Sequence, residues 1–439
     1  MIVIDRVREI ALKTLYEIDV NGAYSNIVLD EQLNLARKKD VIQDIQNKDI
    51  GFISELVYGT VSWKLTLDEV IKKYSKIRLK KISPWILNIL RMSIYQILFL
   101  DRVPKSAAVN EGVNLAKRYG HRASSNFVNA ILRQVEKKVY EDFFNIADDI
   151  HRISITNSMP QWIVHKLIEQ TKSIHETEKI CKACNIRPKL YIRINTLKTN
   201  KDILKRELEK DKIEVQDGEL ENFLVIKRAK NIEKIKAFQE GEFTVQDEVA
   251  GYIPKFLAPK PKEKVLDCCS SPGGKTTAMA ELMENEGEIV AWDLYGHRVK
   301  LVETQAKRLG ITIIKTDVKD ASIYEEKYQN YFDKILLDVP CLGIGVLKRK
   351  PDIKWQRKEE DIEEITKLQE AILDTVSKYL KPGGELVYST CSILKEENQE
   401  VIEKFLKNNQ NFKEIGDFIQ VYPNQNTDGF FIAKCKKKQ

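Results

Sequence analysis

The chain has 439 residues and a net charge of +7, with 43% hydrophobic and 31% charged residues. This chain is too long for a single hydrophobic core, so we expect a soluble globular protein with two or three domains. The longest apolar stretch, Trp85 to Leu100, is interrupted by polar residues and is too short to cross a bilayer. The seven cysteines are scattered and no export pattern opens the chain, which favours reduced thiols and a cytoplasmic location.

The first third of the chain has apolar residues at helical spacing and no alternating strand pattern, which predicts an all-helical domain over residues 1–140. Basic residues cluster here, interleaved with aromatic residues. Such clusters can neutralise phosphates and stack on bases, although a solvated helix face explains them equally well. The basic residues are Lys72, Lys73, Lys76, Arg78, Lys80, Lys81, Lys117, Arg118, His121, Arg122, Arg133, Lys137 and Lys138, and the aromatic ones are Tyr74, Tyr119 and Phe127.

Residues 141–249 change character and predict a small α+β subdomain. A helical pattern runs from about Trp162 to Cys181, a strand-like run covers Leu190 to Ile194, and a charged helix follows from Lys201.

Residues 250–439 alternate β-rich runs with helical stretches, which predicts a parallel, doubly wound α/β sheet. Ligands of such sheets bind beyond the carboxyl ends of the strands, where acidic residues and a cysteine of this chain fall. The predicted strands are Val265–Leu266, Ile289–Trp292, Ile311–Ile314, Lys334–Leu337 and Glu385–Tyr388, and the residues at their ends are Asp267, Asp293, Asp317, Asp338 and Cys391.

The first predicted strand leads into a glycine-rich loop, whose glycines let the backbone approach a ligand closely. A phosphate-binding P-loop requires glycine at position 269, which is Cys269, and the dinucleotide pattern G-x-G-x-x-G is absent from the sequence. Acids at neighbouring strand ends make a carboxylate-lined pocket, which suits a positively charged cofactor. The cofactor-binding candidates are Cys269, Ser270, Ser271, Pro272, Gly273, Gly274, Lys275, Asp293, Asp317 and Asp338.

Two cysteines, Cys341 and Cys391, follow strand ends behind this loop. A thiolate adds readily to an electron-poor ring carbon, and about a few per cent of an ordinary thiol is ionised at neutral pH. One attacking thiol suffices, so the second needs either a function of its own or a purely structural explanation. Another pair, Cys181 and Cys184, forms a C-x-x-C in a helical stretch without a second pair at metal spacing, which disfavours zinc.

The second half of the chain carries a set of short motifs: Val245-Gln246-Asp247-Glu248, Ser271-Pro272-Gly273-Gly274-Lys275-Thr276, Asp338-Val339-Pro340-Cys341, Pro351-Asp352-Ile353-Lys354-Trp355, Leu380-Lys381-Pro382-Gly383-Gly384, Ser389-Thr390-Cys391-Ser392 and Asp428-Gly429-Phe430-Phe431. Over roughly Phe243 to Lys434 the chain resembles the RNA (cytosine-5)-methyltransferases of the Nol/Nop/Sun family, most of all the bacterial branch that acts on 16S rRNA. The helical first third looks like NusB, an RNA-binding fold. The resemblance implies an all-α NusB-like domain, an α+β RNA-contacting subdomain over residues 141–249 and a Rossmann-like class I methyltransferase domain over residues 250–439.

The resemblance implies methyl transfer from S-adenosyl-L-methionine to carbon 5 of a cytidine in 16S rRNA, either naked or in a partial small-subunit particle. By the same likeness Cys391 attacks carbon 6 and Cys341 helps to release the product, with Cys341 also the leading candidate for the base that removes the carbon 5 proton. Asp338, if protonated, holds the N3 and amino edge of the ring. The reverse assignment, with Cys341 attacking, stays open. We expect a monomer that needs neither metal nor membrane.

Family members usually have Ser and Thr where this chain has Leu342 and Ile344, so two hydroxyl groups are missing. This departure keeps one rival function open: a NusB-like RNA-binding assembly factor with a weakened or inactive methyltransferase module. Retention of both thiols argues against the rival. Arg193 and Asn195 match family positions and have either an RNA-contacting or a structural role. We expect Trp355 to pack in a core or loop.

Overall fold

The computed structural model of the protein describes residues 4–38, 47–228 and 231–439. The chain folds into two compact units, which are Met1–Ile186 with Leu347–Glu359 and Arg187–Val346 with Glu360–Gln439. No helix among the described residues combines the length and the apolar character that crossing a bilayer requires.

The first unit is helical, and its helices are α1 (Arg6–Asn21), α2 (Ser25–Lys38), α3 (Asn47–Ser62), α4 (Lys64–Tyr74), α5 (Pro84–Phe99), α6 (Lys105–Tyr119), α7 (Arg122–Gln134), α8 (Lys138–Asp142), α9 (Asp149–Thr156), α10 (Gln161–Thr171), α11 (Ile174–Ala183) and, later in the chain, α17 (Ile353–Gln356). Helix α5 is buried from Ile86 to Leu98 and forms the centre of the core. It starts with Pro84 at its first position, where a missing N–H costs nothing. The longest apolar stretch of the sequence is therefore a core helix.

The predicted boundary at residue 140 does not coincide with the division between the two units, which falls after Ile186. Tyr140 explains the continuity, because its ring meets Trp63 and Phe99 edge to face. Its hydroxyl also donates to the Thr156 carbonyl at 2.8 Å, which joins the later helices to the same core. The predicted domain ranges also include residues 1–3, 39–46 and 229–230, which lie outside the described residues.

One segment from the later part of the sequence, Leu347–Glu359, belongs to the helical unit. Within it, Trp355 packs against the helical core and donates its indole N–H to the Val61 carbonyl at 2.7 Å. Asp352 accepts a hydrogen bond from the Ser25 hydroxyl at 2.5 Å. The packing role predicted for Trp355 is confirmed.

The second unit begins with a small sheet and two helices, which are β1 (Leu190–Ile194), α12 (Lys201–Lys210), β2 (Glu214–Asp217), β3 (Phe223–Arg228), α13 (Lys236–Gln239) and β4 (Phe243–Val245). The strands are antiparallel in the order β2-β3-β1-β4. Leu204 and Leu208 of α12 pack with Ile192 and Ile194 of β1 in one core. The strand at Leu190 and the charged helix from Lys201 are as predicted.

The rest of this unit alternates strands and helices, which are α14 (Glu248–Leu257), β5 (Lys264–Asp267), α15 (Gly274–Leu282), β6 (Glu288–Asp293), α16 (Gly296–Leu309), β7 (Ile314–Val318), β8 (Phe332–Asp338), α18 (Asp361–Val376), β9 (Leu380–Thr390), α19 (Gln399–Asn408), β10 (Phe412–Glu414), β11 (Ile419–Val421) and β12 (Phe430–Lys437). The sheet order is β10-β12-β9-β8-β5-β6-β7, with β11 paired to β12. Pairs from β7 to β9 are parallel, and β12 is antiparallel to its neighbours. Helices α14, α15 and α16 cover one face, and α18 and α19 cover the other.

The third strand of the parallel sheet differs from the prediction, because it begins where the predicted strand ends. Gly310 ends α16 in a left-handed conformation, and Ile311 and Ile313 then pack into the core before the strand starts. As a result Asp317 lies within the edge strand β7 instead of beyond its end.

Candidate active site

The carboxyl ends of the parallel strands bring together residues that are far apart in the sequence. Strand β5 ends at Asp267, β6 at Asp293 and β8 at Asp338, while β9 ends one residue before Cys391. Strands β5 and β9 flank β8, so these three ends are adjacent. Asp267, Asp293, Asp338 and Cys391 therefore lie at this edge of the sheet, and Asp317, the last residue but one of β7, stands opposite Trp292, one step before Asp293.

Glycine shapes the loop after β5. Gly273 has a φ of +99°, which side chains rarely adopt, and a Cβ there would lie 3.1 Å from the Val302 Cα. Gly274 then begins α15, and the first N–H groups of a helix have no partner within the helix. The backbone therefore has the form expected of a ligand-binding loop.

A buried arginine supports this loop from the small sheet. Arg193 is 1% exposed and donates to the two carboxylate oxygens of Glu281 at 3.0 and 2.8 Å. It also donates to the Gly274 carbonyl at 2.6 Å, at the start of α15. Asn195 is buried as well and donates to the Leu309 carbonyl at 2.9 Å. Of the two roles left open by the sequence, the structure supports the structural one, because neither side chain is accessible to RNA.

A cavity of about 210 Å³ lies at the strand ends. Most of the predicted cofactor residues line it, namely Cys269, Ser270, Ser271, Pro272, Gly274, Lys275 and Asp338. The other lining residues are Val245, Gln246, Ala250 and Asp267. Gly273 forms the turn of the loop and does not line the cavity.

Asp267 is a cavity residue that the predicted cofactor set omitted. Its Oδ2 accepts a hydrogen bond from the Thr276 hydroxyl at 2.7 Å, whereas its Oδ1 is buried with no hydrogen-bond partner among the described residues. Burial raises the pKa of this carboxyl to about 7. A cation in the cavity would satisfy the unpaired oxygen. Its position at the end of the first strand was the sequence signal for this role.

The two remaining acidic candidates differ in position. Asp293 is 3% exposed and accepts the backbone N–H of the cavity residue Ser271 at 3.3 Å, which ties it to the loop. The side chain of Asp317 is 53% exposed, and its Oδ1 accepts the N–H of Val318 at 2.9 Å. The structure therefore brings Asp293 to the loop and leaves Asp317 on the outer strand.

The two thiols predicted to act together lie side by side. The sulfur atoms of Cys341 and Cys391 are 2.9 Å apart, although the residues are separated by 50 positions. The pKa of Cys341 is raised well above its usual value by the hydrogen bond with Cys391, by burial, and by the charges of Glu397 and Asp338. Cys341 therefore holds its proton more tightly than an ordinary thiol, and either sulfur can be the donor in the contact between them.

Asp338 connects the cavity to the thiols. Its Oδ1 accepts the Ser389 hydroxyl at 2.7 Å, and its Oδ2 accepts from the Lys275 ammonium at 2.6 Å. The carboxylate therefore accepts one hydrogen bond from each side, from a hydroxyl and from an ammonium group. Burial lowers the pKa of Lys275, but the nearby Asp338 and, to a smaller extent, Cys391 raise it, and the result lies above the ordinary value. A cation therefore lies beside the predicted nucleophile.

Glu397 is a second acid that the sequence prediction missed. It is fully buried and accepts the N–H of Leu342 at 2.9 Å and the hydroxyl of Ser392. These two residues each follow one of the active thiols. Glu397 lies in a run of charged residues, and such runs are typical of exposed surface. Nothing in the sequence therefore distinguishes Glu397 as the buried member of this run.

The basic residues of the helical unit fall into two groups. Some are paired with acids, such as Lys73 with Asp142 at 2.8 Å and Arg118 with Glu9 at 3.2 Å. Others are exposed and have no ion pair among the described residues, namely Lys76, Arg78, Lys80 and Lys81 in the segment after α4 and Lys117, Arg122, Arg133 and Lys138 in α6, α7 and α8. These residues are the ones of this unit that are placed to meet phosphates.

Three family models match the chain in order. The NusB family model matches residues 5–137, a ferredoxin-like domain model of RsmF/B-like methyltransferases matches residues 159–233, and the model for 16S rRNA methyltransferase RsmB/F matches residues 254–436. This order confirms the predicted fold class, with a NusB-like helical part, a small α+β part and a methyltransferase part.

Full-length relatives agree with the domain matches. The chain is 36% identical to the probable ribosomal RNA small subunit methyltransferase B of Bacillus subtilis, over 98% of this chain and 99% of the relative. It is 30% identical to the ribosomal RNA small subunit methyltransferase B of Shewanella oneidensis, again over 98% and 99%. Among solved structures, the crystal structure of PH0851 superposes with a TM-score of 0.80 at 29% identity and covers 98% of both chains.

Proposed function

The chain belongs to the RsmB/F family of 16S rRNA methyltransferases, and from this premise we propose that it methylates carbon 5 of a cytidine in 16S rRNA with S-adenosyl-L-methionine, through a covalent cysteine adduct. The observation that carries the proposal is the pair of sulfurs, Cys341 and Cys391, 2.9 Å apart at strand ends. Lys275 and Asp338 line the cavity and also act on these thiols.

The residues of the cavity fit S-adenosylmethionine. The unpaired Oδ1 of Asp267 suits the ammonium or sulfonium charge of this cofactor, and its burial strengthens the attraction. Asp293 stands at the end of β6, where a carboxylate accepts ribose hydroxyls in doubly wound folds. The Gly273–Gly274 turn gives close access to the loop backbone. When bound, the cofactor supplies an electrophilic methyl group on a sulfonium.

In the proposed reaction the Cys391 thiolate adds to carbon 6 of the cytosine, which forms an S–C bond and shifts the electron pair of the C5–C6 double bond toward carbon 5. That carbon then has the electron density needed to bond the methyl group. When the carbon 5 proton is removed, the electron pair of the C5–H bond re-forms the C5–C6 double bond. The C6–S bond then breaks, and its electron pair leaves with the Cys391 sulfur. Cys341 is the leading candidate for the base that takes that proton, because its sulfur lies 2.9 Å from that of Cys391, and it can accept the proton only after it has given up its own.

The ion pair of Asp338 and Lys275 supports the same scheme electrostatically. Asp338 is the group proposed to hold the N3 and amino edge of cytosine, and an oxygen of its side chain can accept a hydrogen bond from the amino group. Lys275 places a positive charge next to this edge of the ring, where negative charge grows as the sulfur adds. Because the ion pair already orients both side chains, they need little reorganisation when the sulfur adds to the ring.

The rival function is RNA binding without methyl transfer. The loop with Leu342 and Ile344, which departs from the family pattern, gives no structural support for it. Leu342 and Ile344 are 2% and 0% exposed, so their apolar side chains fill the core. The loop is held through the backbone N–H of Leu342, which Glu397 accepts, and this bond does not depend on the side chain at position 342.

A direct test compares the wild type with Cys341→Ala and Cys391→Ala on naked 16S rRNA and on a partial small-subunit particle. We expect label from the cofactor to appear as 5-methylcytidine with the wild type only. Cys341→Ala should accumulate a protein–RNA adduct that survives denaturation, because release fails, and Cys391→Ala should form none. The opposite adduct pattern would exchange the two roles, and cofactor and RNA binding without transfer would support the rival. Sedimentation of the active species tests the expected monomer.

A further inference from the structure

One buried carboxylate joins the two loops that carry the thiols. The Oε2 of Glu397 accepts the backbone N–H of Leu342, the residue after Cys341, at 2.9 Å. Its Oε1 accepts the hydroxyl of Ser392, the residue after Cys391. Glu397 is 0% exposed, so both bonds are shielded from competing water.

A glutamine strengthens the same connection. The Gln369 amide donates to the Oε2 of Glu397 at 3.1 Å and to the Pro340 carbonyl at 2.9 Å, on the other side of Cys341. The Tyr388 hydroxyl donates to the Glu397 carbonyl at 2.7 Å. The thiol loop of Cys341 is thus held by Glu397 and Gln369 on both sides of the sulfur-bearing residue. The backbone N–H of Gly345, which donates to the Cys391 carbonyl at 2.9 Å, adds a direct bond between the two loops farther along the chain.

A carboxylate in such a position needs a reason, because burying a charge is costly unless donors compensate it. Apolar residues could fill the same space behind the two loops, but they could not bond the N–H after one cysteine and the hydroxyl after the other. A carboxylate only accepts hydrogen bonds, and three donors converge on its two oxygens here. The arrangement therefore fixes the distance between two loops that come from different strands.

We infer that Glu397 is a positioning residue that holds Cys341 and Cys391 in register, so that one sulfur can stay bonded to carbon 6 while the other reaches the proton at carbon 5. The inference rests on the proposed function. It gives Glu397 no contact with substrate or cofactor, because its two oxygens are occupied by protein groups.

The same residue has an electrostatic effect that provides an independent readout. The groups that act on the Cys341 thiol are Cys391, Glu397 and Asp338, the last of which is paired with Lys275. The negative charge of Glu397 raises the pKa of Cys341, after the hydrogen bond with Cys391 and burial. Removal of that charge alone should therefore lower the pKa of Cys341 and make this thiol more reactive at alkaline pH.

The experiment compares Glu397→Ala and Glu397→Gln with the wild type and with Glu400→Gln, a matched control on the exposed start of α19. The glutamine can turn its oxygen toward Leu342 and its amide toward the Ser392 hydroxyl, so it keeps the connection and loses only the charge. Each variant is assayed for kcat, for KM of the cofactor, for thermal unfolding, and for the adduct formed with RNA that contains 5-fluorocytidine, which blocks release.

For Glu397→Ala we expect kcat and the rate of adduct formation to fall about a hundredfold, since misplacing reacting groups by about 1 Å has that effect. The KM for the cofactor should stay within about twofold, because Glu397 is not a lining residue of the cavity. Glu397→Gln should restore kcat to within about fivefold of the wild type, while iodoacetamide labels Cys341 faster than in the wild type at pH 9. Glu400→Gln should change nothing.

The outcomes separate the two proposals. If the wild type neither transfers methyl groups nor forms an adduct, the proposed function fails. If the wild type is active and Glu397→Ala keeps kcat within about threefold, the positioning role is wrong. It is also wrong if the loss of kcat merely follows the unfolded fraction, or if Glu397→Gln is as inactive as Glu397→Ala. Unchanged labelling of Cys341 in Glu397→Gln would refute the electrostatic effect.

Discussion

Two pairs of cysteines in this protein lie beside a lysine, and their surroundings differ. In the second unit, Cys341 and Cys391 are half-buried, and the side chain of Lys275 beside them is 22% exposed and paired with Asp338. In the helical unit, Cys181 and Cys184 are fully buried. Their lysine, Lys354, is 1% exposed and bonds only neutral acceptors, the Ser62 and Ser158 carbonyls and the Asn185 side chain.

We infer from this contrast that access and charge, and not the spacing of two cysteines in the sequence, set the reactivity of such a pair. At the strand ends, Asp338 holds the pKa of Lys275 above its ordinary value, and both thiols keep some exposure to solvent. In the helical unit, burial lowers the pKa of Lys354 to about 8 and raises the pKa of Cys181 well above its usual value. No group of three or more metal-ligating side chains occurs in residues 4–38, 47–228 and 231–439, so the C-x-x-C pair stands alone there.

The largest expected effect concerns the charge of Lys354. Its pKa falls from 10.5 to about 8 on folding, so at this group the unfolded chain binds more protons between these values, and the contribution of Lys354 to stability rises with pH across that window. That contribution to the free energy of unfolding should amount to about 3 kcal/mol between pH 8 and 10.5, and buried thiols with a raised pKa, such as Cys181, contribute in the opposite direction. Urea unfolding followed by tryptophan fluorescence, compared between the wild type and a variant without Lys354, isolates the contribution of this lysine.

Lys354→Met should remove that contribution, because it removes the titrating group, so the free energy of unfolding of the variant should rise less, or fall more, between pH 8 and 10.5 than that of the wild type. Lys179→Met, at an exposed lysine of the same unit, serves as the control and should keep it. An identical slope in Lys354→Met and wild type would show that other groups cause the pH dependence and would remove the contrast between the two lysines.

The next effect concerns Lys275, whose charge should assist the addition of sulfur to the ring. Lys275→Met should lower kcat about ten- to thirtyfold, which corresponds to about 1.4 to 2 kcal/mol of barrier. Single-turnover methyl transfer measures the change, with Lys300→Met on the exposed face of α16 as the matched control. If Lys275→Met transfers the methyl group as fast as the control, the charge of Lys275 does not assist the proposed reaction.

The smallest effect concerns the buried pair itself. Cys181→Ala should destabilise the protein by roughly 1 kcal/mol, since it removes a small buried side chain, and should leave kcat within about twofold. In the native wild type, iodoacetamide should modify Cys391 well before Cys181, as peptide mass spectrometry can show. Equal rates of modification would contradict the assignment of one pair to chemistry and the other to packing.

Particular residues show how far the sequence could lead. The glycine turn, Asp293, Asp338 and the two thiols were predicted at strand ends, because alternating strands and helices place all carboxyl ends of a parallel sheet at one edge. Asp317 was placed by the same rule, but the start of β7 three residues later than predicted moved it into an exposed edge strand. Propensity does not resolve that boundary, since Ile311 suits a core turn as well as a strand.

Arg193 and Glu397 mark the limit of the sequence-based reasoning. Both are charged residues that are almost fully buried, and each depends on partners more than fifty positions away, such as Glu281 at 88 positions and Leu342 at 55. Sequence patterns place charges on the surface by default, because a buried charge is stable only when its partners are assembled around it.

Local periodicity and the topology of parallel strands are enough to predict the order of helical, mixed and α/β parts, the ligand loop and the pair of candidate thiols. The folded structure was needed to learn which acids reach the cavity, how close the two sulfurs lie and which carboxylate joins their loops. Those features depend on distances between segments that are remote in the chain, and burial then sets the charge of each group.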